Sequence, residues 1–178
     1  MLLTSASRLA IIDVQAKLLA AVHDHERVLQ RCRVLAEAAR VLSVPAVATE
    51  QNPAGIGPTV ETLAELVPVR YGKTTFSSAE DPAFLAWAQS GGTVVLCGTE
   101  AHICVLQTAL GLRAKGIEVS MVADATGSRD PANKDAALAR AARHGVDVVT
   151  AEMVLFEWLG RYDRPEFKQL LPLIKALG

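Results

Sequence analysis

Aromatic side chains are scarce in this chain: four Phe, two Trp and two Tyr among 178 residues. The core therefore has to be built from Ala, Val and Leu, which dominate the hydrophobic half of the composition. Cysteine is scarcer still. Three residues, an odd number, stand at spacings that suit neither a disulfide framework nor a zinc site. Reduced thiols of this kind point to a cytoplasmic protein. No long run of like charge is present and the formal net charge is -1. This argues against nucleic acid and membrane surfaces as partners, since both require clustered Lys and Arg. No apolar run is long enough to span a bilayer, and residues 1–15 lack the basic, apolar and cleavage regions of a secretory signal. No G-x-G-x-x-G follows a β-rich run, which disfavours a dinucleotide site.

What is present is an alternation of short β-rich runs with longer helical patterns, in a length that suits a single domain over residues 1–178. Strands are expected at 8–15, 44–51, 93–98, 117–124 and 146–150, with a shorter one before Lys73. Helices are expected at 25–44, 80–92, 101–116, 130–145, 151–160 and 165–178. Pro82 after Asp81, and Pro131 after Asp130, mark two helix starts; Gly91 and Gly116 mark two ends. Residues 52–59 read as a loop from their Pro and Gly content. Strands joined by helices of this length give βαβ units. The expected fold is α/β: a three-layer, doubly wound sheet of about six mainly parallel strands with helices on both faces. Ligands of such folds bind beyond the carboxyl ends of the strands. That rule directs attention to Asp13, Glu50, Gln51, the turn at 98–100, and Asp124 with the segment 128–130.

Cys104 follows the strand at 93–98, near the start of the next helix. There the free amides and the helix dipole favour a thiolate, so its pKa is expected to fall. A nucleophile fits that position, and so does a small buried apolar residue. Cys97, within a strand, and Cys32, within an amphipathic helix, read as core. Asp13 closes the apolar run at 9–12, placed for proton transfer or for capping a loop. Lys73 reads either as a solvated surface group or as the cation of a site. Glu50 and Gln51 suit a pocket lining or a cap, and Phe76 a pocket wall or core packing. A receiver-like domain with Asp13 as ligand or phosphoacceptor lacks paired acidic residues beside Asp13 and leaves Cys104 without a role.

Taken together, "LAIIDVQ", "TEQNPAGIGPTV", "YGKTTFSS", "VVLCGTEAHICVLQTALGLRAKGIEVSMVADATGSRD" and "VLFEWLG" resemble the isochorismatase-like cysteine hydrolases, and the small branch of isochorismatase-domain proteins in particular. The resemblance runs over nearly the whole chain. It implies a triad of Asp13, Lys73 and Cys104, a cis peptide at Thr99–Glu100, and an oxyanion hole formed by the amides of Glu100 and Cys104. The implied activity is hydrolysis of a small-molecule amide or related C–N bond through a thioester, with no cofactor and no metal. Nicotinamidases of the family hold a metal through an Asp and histidines after the second strand, and residues 49–59 here contain neither. True isochorismatases lack the cysteine, so Cys104 argues against vinyl-ether cleavage. The alternative on the same scaffold is a non-catalytic or redox-responsive thiol-bearing binding protein. Apolar residues in excess along the last helices, among them Phe156, Trp158, Leu159 and Phe167, suit the homo-oligomers, dimers or higher, that are common in the family.

Overall fold

The computed structural model describes residues 1–178. Six strands form one sheet: β1 (Ser7–Ile12), β2 (Ala46–Gln51), β3 (Arg70–Lys73), β4 (Thr93–Thr99), β5 (Val119–Gly127) and β6 (Asp147–Val149). Their order is β3-β2-β1-β4-β5-β6 and every pairing is parallel. The fold is thus the three-layer α/β arrangement expected from the βαβ pattern. The direction of winding reverses between β1 and β4, so a crevice opens at their carboxyl ends.

Successive residues of a strand face opposite sides. Leu9 and Ile11 accordingly pack with Val95 and Cys97 beneath α2 (His25–Val41), α8 (Ala151–Leu159) and α9 (Pro165–Lys175). Ala10 and Ile12 pack with Leu96 and Met121 beneath α5 (Pro82–Gln89), α6 (Leu106–Ala114) and α7 (Pro131–Arg143). Each layer has a large aromatic anchor, Trp158 in the first and Phe84 in the second, both essentially sealed from solvent. The rest is aliphatic, as the composition requires.

The capping signals lie where the sequence puts them. Asp81 accepts a hydrogen bond from the Phe84 amide at 2.8 Å to open α5. Asp130 does the same for Ala132 at 2.9 Å to open α7. Two expectations need correction. The loop at 52–59 contains a helical turn, α3 (Pro53–Ile56), led by Pro53 at its first position, and two further short helices, α1 (Ala16–Leu19) and α4 (Glu61–Ala64), follow β1 and α3. The helix expected from residue 101 opens as a single π-helical turn, Ala101–Val105, and becomes α-helical only at Leu106. No helix is long and apolar enough to cross a membrane.

Gly98 shows how closely the central strands approach. Its φ is +119°, and a β-carbon there would lie 2.1 Å from the carbonyl oxygen of Ile12. Only glycine fits both the backbone conformation and the space. One residue on, the Thr99 hydroxyl donates to the carbonyl oxygen of Asp13 at 2.8 Å, tying the ends of β1 and β4 together.

Candidate active site

The buried apolar run of β1 ends at Ile12, and the chain turns at Asp13 with φ +50°. The Asp13 amide still donates to the Thr49 carbonyl at 3.1 Å, so the side chain is delivered at the mouth of the sheet. Its two oxygens have separate partners. Oδ1 accepts from the Thr49 hydroxyl at 2.7 Å. Oδ2 accepts from Lys73 Nζ at 2.7 Å. Both side chains are almost wholly buried, 0% and 1% exposed. The Lys73 ammonium uses its remaining protons on Gln51 Oε1 at 2.7 Å and the Thr75 carbonyl at 3.2 Å. A buried ion pair is retained at low cost only when such neutral partners satisfy it on every side.

Gln51 is itself held. Its amide donates to Gln15 Oε1 at 2.7 Å, and its side-chain nitrogen donates to the Thr74 carbonyl at 3.0 Å. Gln15 Nε2 donates in turn to the carbonyls of Gln51 and Gly57, at 3.0 and 2.5 Å. Gln15 is fully buried and clamps the end of β2 to the following loop.

Cys104 lies in the π-helical turn after β4, buried but bordering a cavity of about 310 Å³. The expected fall in its pKa is reversed. Burial pushes the thiol up to about 12, and the nearby Asp13 carboxylate, within hydrogen-bonding reach, pushes in the same direction. The Lys73 ammonium and the Glu100 backbone amide pull it down, with less effect. The resting sulfur is therefore a thiol, flanked by the base that could remove its proton and by two groups that favour the anion. The peptide between Thr99 and Glu100 is cis.

The carboxylate of Glu100 forms an ion pair with Arg129, Oε1 to Nε at 2.7 Å, and its other oxygen, buried without a hydrogen-bond partner, lies 3.5 Å from His102 Nδ1. The hydrogen-bond partner of His102 Nδ1 is the Ser128 hydroxyl at 2.9 Å. Gln51 and Phe76 line the cavity. Phe76 is 55% exposed, so it is a wall and contributes nothing to the core. Glu50 is the exception among the expected pocket residues. Its Oε1 accepts from both the amide and the hydroxyl of Thr59, at 2.8 Å each, and Arg70 approaches to 3.7 Å. It fastens a loop and does not border the cavity.

Lys17, Leu18, Ile56, Ile103 and Arg129 complete most of the lining, and none of them carries a pocket signal of its own in the sequence. Only Arg129 stands within a segment marked by the strand-end rule. The others lie on short turns whose positions depend on tertiary packing. Asp124, also marked by that rule, is structural: it accepts from the Ala151 amide at 2.7 Å and lies 3.5 Å from Arg31 Nε. No group of three or more His, Cys, Asp or Glu side chains is arranged to hold a metal ion.

Known proteins share this arrangement of chain. The sequence is 39% identical to isochorismatase domain-containing protein 1 of Salmo salar over 170 residues, which are 92% of this chain and 59% of that relative. It thus spans less than two thirds of that protein. It is 38% identical to isochorismatase domain-containing protein 2 of Bos taurus over 176 residues, 97% of this chain and 85% of the relative. Among solved structures, the MAR1 ribonuclease of Caenorhabditis elegans superposes with a TM-score of 0.93 at 33% identity, covering 98% of this chain and 92% of that one. The isochorismatase domain profile matches residues 7–153, and the chain belongs to the isochorismatase domain family.

Proposed function

We propose that the protein is a metal-independent cysteine hydrolase of a small-molecule amide or related C–N bond. The observation that carries this reading is the convergence of Asp13 and Lys73, paired at 2.7 Å from two separate strand ends, on the Cys104 sulfur, which borders a compact cavity. Family membership supports a hydrolase in general, and the chemistry of these three groups supports the finer reading.

In this mechanism the Cys104 sulfur attacks the carbonyl carbon while its proton passes to Asp13. Lys73 remains an ammonium throughout and balances the negative charge that moves between carboxylate, sulfur and substrate oxygen. The amides of Glu100 and Cys104 are the proposed oxyanion donors. Asp13 then gives its proton to the leaving nitrogen, and the C–N bond breaks to leave a thioester. Water, deprotonated by Asp13, cleaves the thioester. The free acid leaves and the thiol is restored. At about 310 Å³ the cavity stands at the low end of small-ligand sites, which favours a compact substrate.

The test is single-turnover mass spectrometry with an amide library. A hydrolase accumulates an acyl adduct on Cys104, and Cys104→Ala retains its fold while losing both turnover and adduct. Full activity in Cys104→Ala would end this reading. So would cleavage of RNA, the activity named for the C. elegans neighbour, that survives the same substitution.

A further inference from the structure

The cavity beside Cys104 has an unbalanced charge. Three charged side chains border it: Lys17, Glu100 and Arg129. Glu100 and Arg129 neutralise each other through their 2.7 Å contact. Asp13 and Lys73, behind the sulfur, neutralise each other in the same way. Lys17 alone has no carboxylate partner. Its exposed ammonium donates to the Gly55 carbonyl in helix α3 at 3.1 Å. Most of the remaining surface is apolar, from Leu18, Ala21, Ile56, Phe76 and Ile103. The site therefore offers a compact apolar chamber with the reacting sulfur on one wall and one free cation on its border.

We propose that the cavity selects amides carrying a single carboxylate, with the Lys17 ammonium as the counter-charge of that anion. The proposal rests on the hydrolase reading for the word amide, and on the charge balance alone for the word carboxylate. Lys17 is exposed, so its attraction for the carboxylate is that of a surface charge and weakens with salt, and Phe76 supplies the apolar contact for the chain between carboxylate and amide. Lys17 is a binding group in this scheme and takes no part in proton transfer.

Two experiments separate the proposal from the reading beneath it. The first needs no substrate: alkylation of Cys104 by iodoacetate and by iodoacetamide, reagents that differ in one negative charge. The ratio of the two rates is expected to exceed that of N-acetylcysteinamide, an uncharged thiol, by about five- to tenfold at low salt, as a nearby cation requires. The excess should disappear in Lys17→Gln and persist in Lys17→Arg. The exposed Lys168 on α9 is a control, and Lys168→Gln should leave the ratio unaltered. A ratio equal to that of the free thiol, a ratio indifferent to Lys17→Gln, or failure of Cys104 to react with either reagent overturns the proposal. The second experiment compares kcat/KM for succinamate and butanamide. Preference for succinamate that falls in Lys17→Gln supports the proposal. Equal turnover of the two overturns it while leaving the hydrolase reading intact. If the alkylation ratio responds to Lys17 and neither amide is hydrolysed, the anion selectivity stands and the hydrolase reading is what fails.

Discussion

Asp13 acts on the Cys104 sulfur in two opposite senses. Ionised, its carboxylate helps to hold the proton on sulfur, second only to burial. Once it accepts that proton its charge is gone, and the Lys73 ammonium and the Glu100 amide are left facing a thiolate. In the proposed mechanism, proton transfer thus relaxes the penalty that opposed it, and the sulfur becomes nucleophilic only as a substrate arrives to be attacked. The alkylation rate of Cys104 should rise about tenfold per pH unit above neutrality, with no plateau before about 12. Asp13→Asn removes a group that raises the thiol, so the same profile should shift to lower pH and alkylation near pH 7 should quicken. If Asp13 is the proton acceptor of the proposed hydrolysis, turnover of that variant should nevertheless fall, by about 10²- to 10⁴-fold. Slower alkylation in Asp13→Asn would refute the first half of this account. Lys73→Met leaves a buried carboxylate without its cation and should cost about 3–5 kcal/mol in chemical denaturation, with Asp13→Leu/Lys73→Met costing less than the single change. These three residues are legible as chemistry-bearing from position and resemblance. The supporting partners Gln15 and Thr49 are not, because an amide or hydroxyl in a strand or turn has many uses and only its neighbours decide among them.

At the scale of elements, the junction of β1 and β4 is the least forgiving place in the fold. A β-carbon on Gly98 meets the Ile12 carbonyl oxygen at 2.1 Å, against backbone that has no rotamer to yield. Gly98→Ala should destabilise the protein by more than about 3 kcal/mol in urea or prevent folding altogether. Asp81→Ala, which only unties the start of α5, should cost about 1 kcal/mol. The capped helix starts are readable because Asp-Pro pairs have one local explanation. The π-helical turn at 101–105 is not, since the residues between Ala101 and Ala114 are compatible with an ordinary helix and nothing local marks the wider turn. The same limit explains the thiol. Helix position argues for a lowered pKa, and burial, which sequence does not display, outweighs it.

For the molecule as a whole, the raised thiol makes stability depend on alkali. A thiol in the unfolded chain ionises near 9.0, and the native Cys104 thiol near 12. Below the first value both states hold the proton and the group has no influence. Between the two values only the unfolded chain releases it, so stability falls as pH rises. Cys104→Ala should flatten that part of the curve in denaturation midpoints measured from pH 8 to 11. The overall topology is readable because strand and helix periodicities alternate cleanly along the chain. Periodicity says which residues form strands and nothing of which strands lie side by side, so the order within the sheet emerges only from tertiary packing. That order has a cost for the site. Lys73 is the last residue of β3, an outermost strand of four residues that pairs only with β2. Sheet margins fray long before the centre opens. Each such excursion carries the ammonium away from Asp13 while β1 and β4 stay in place, so the proposed hydrolysis would fall silent under mild denaturant with the secondary structure still intact.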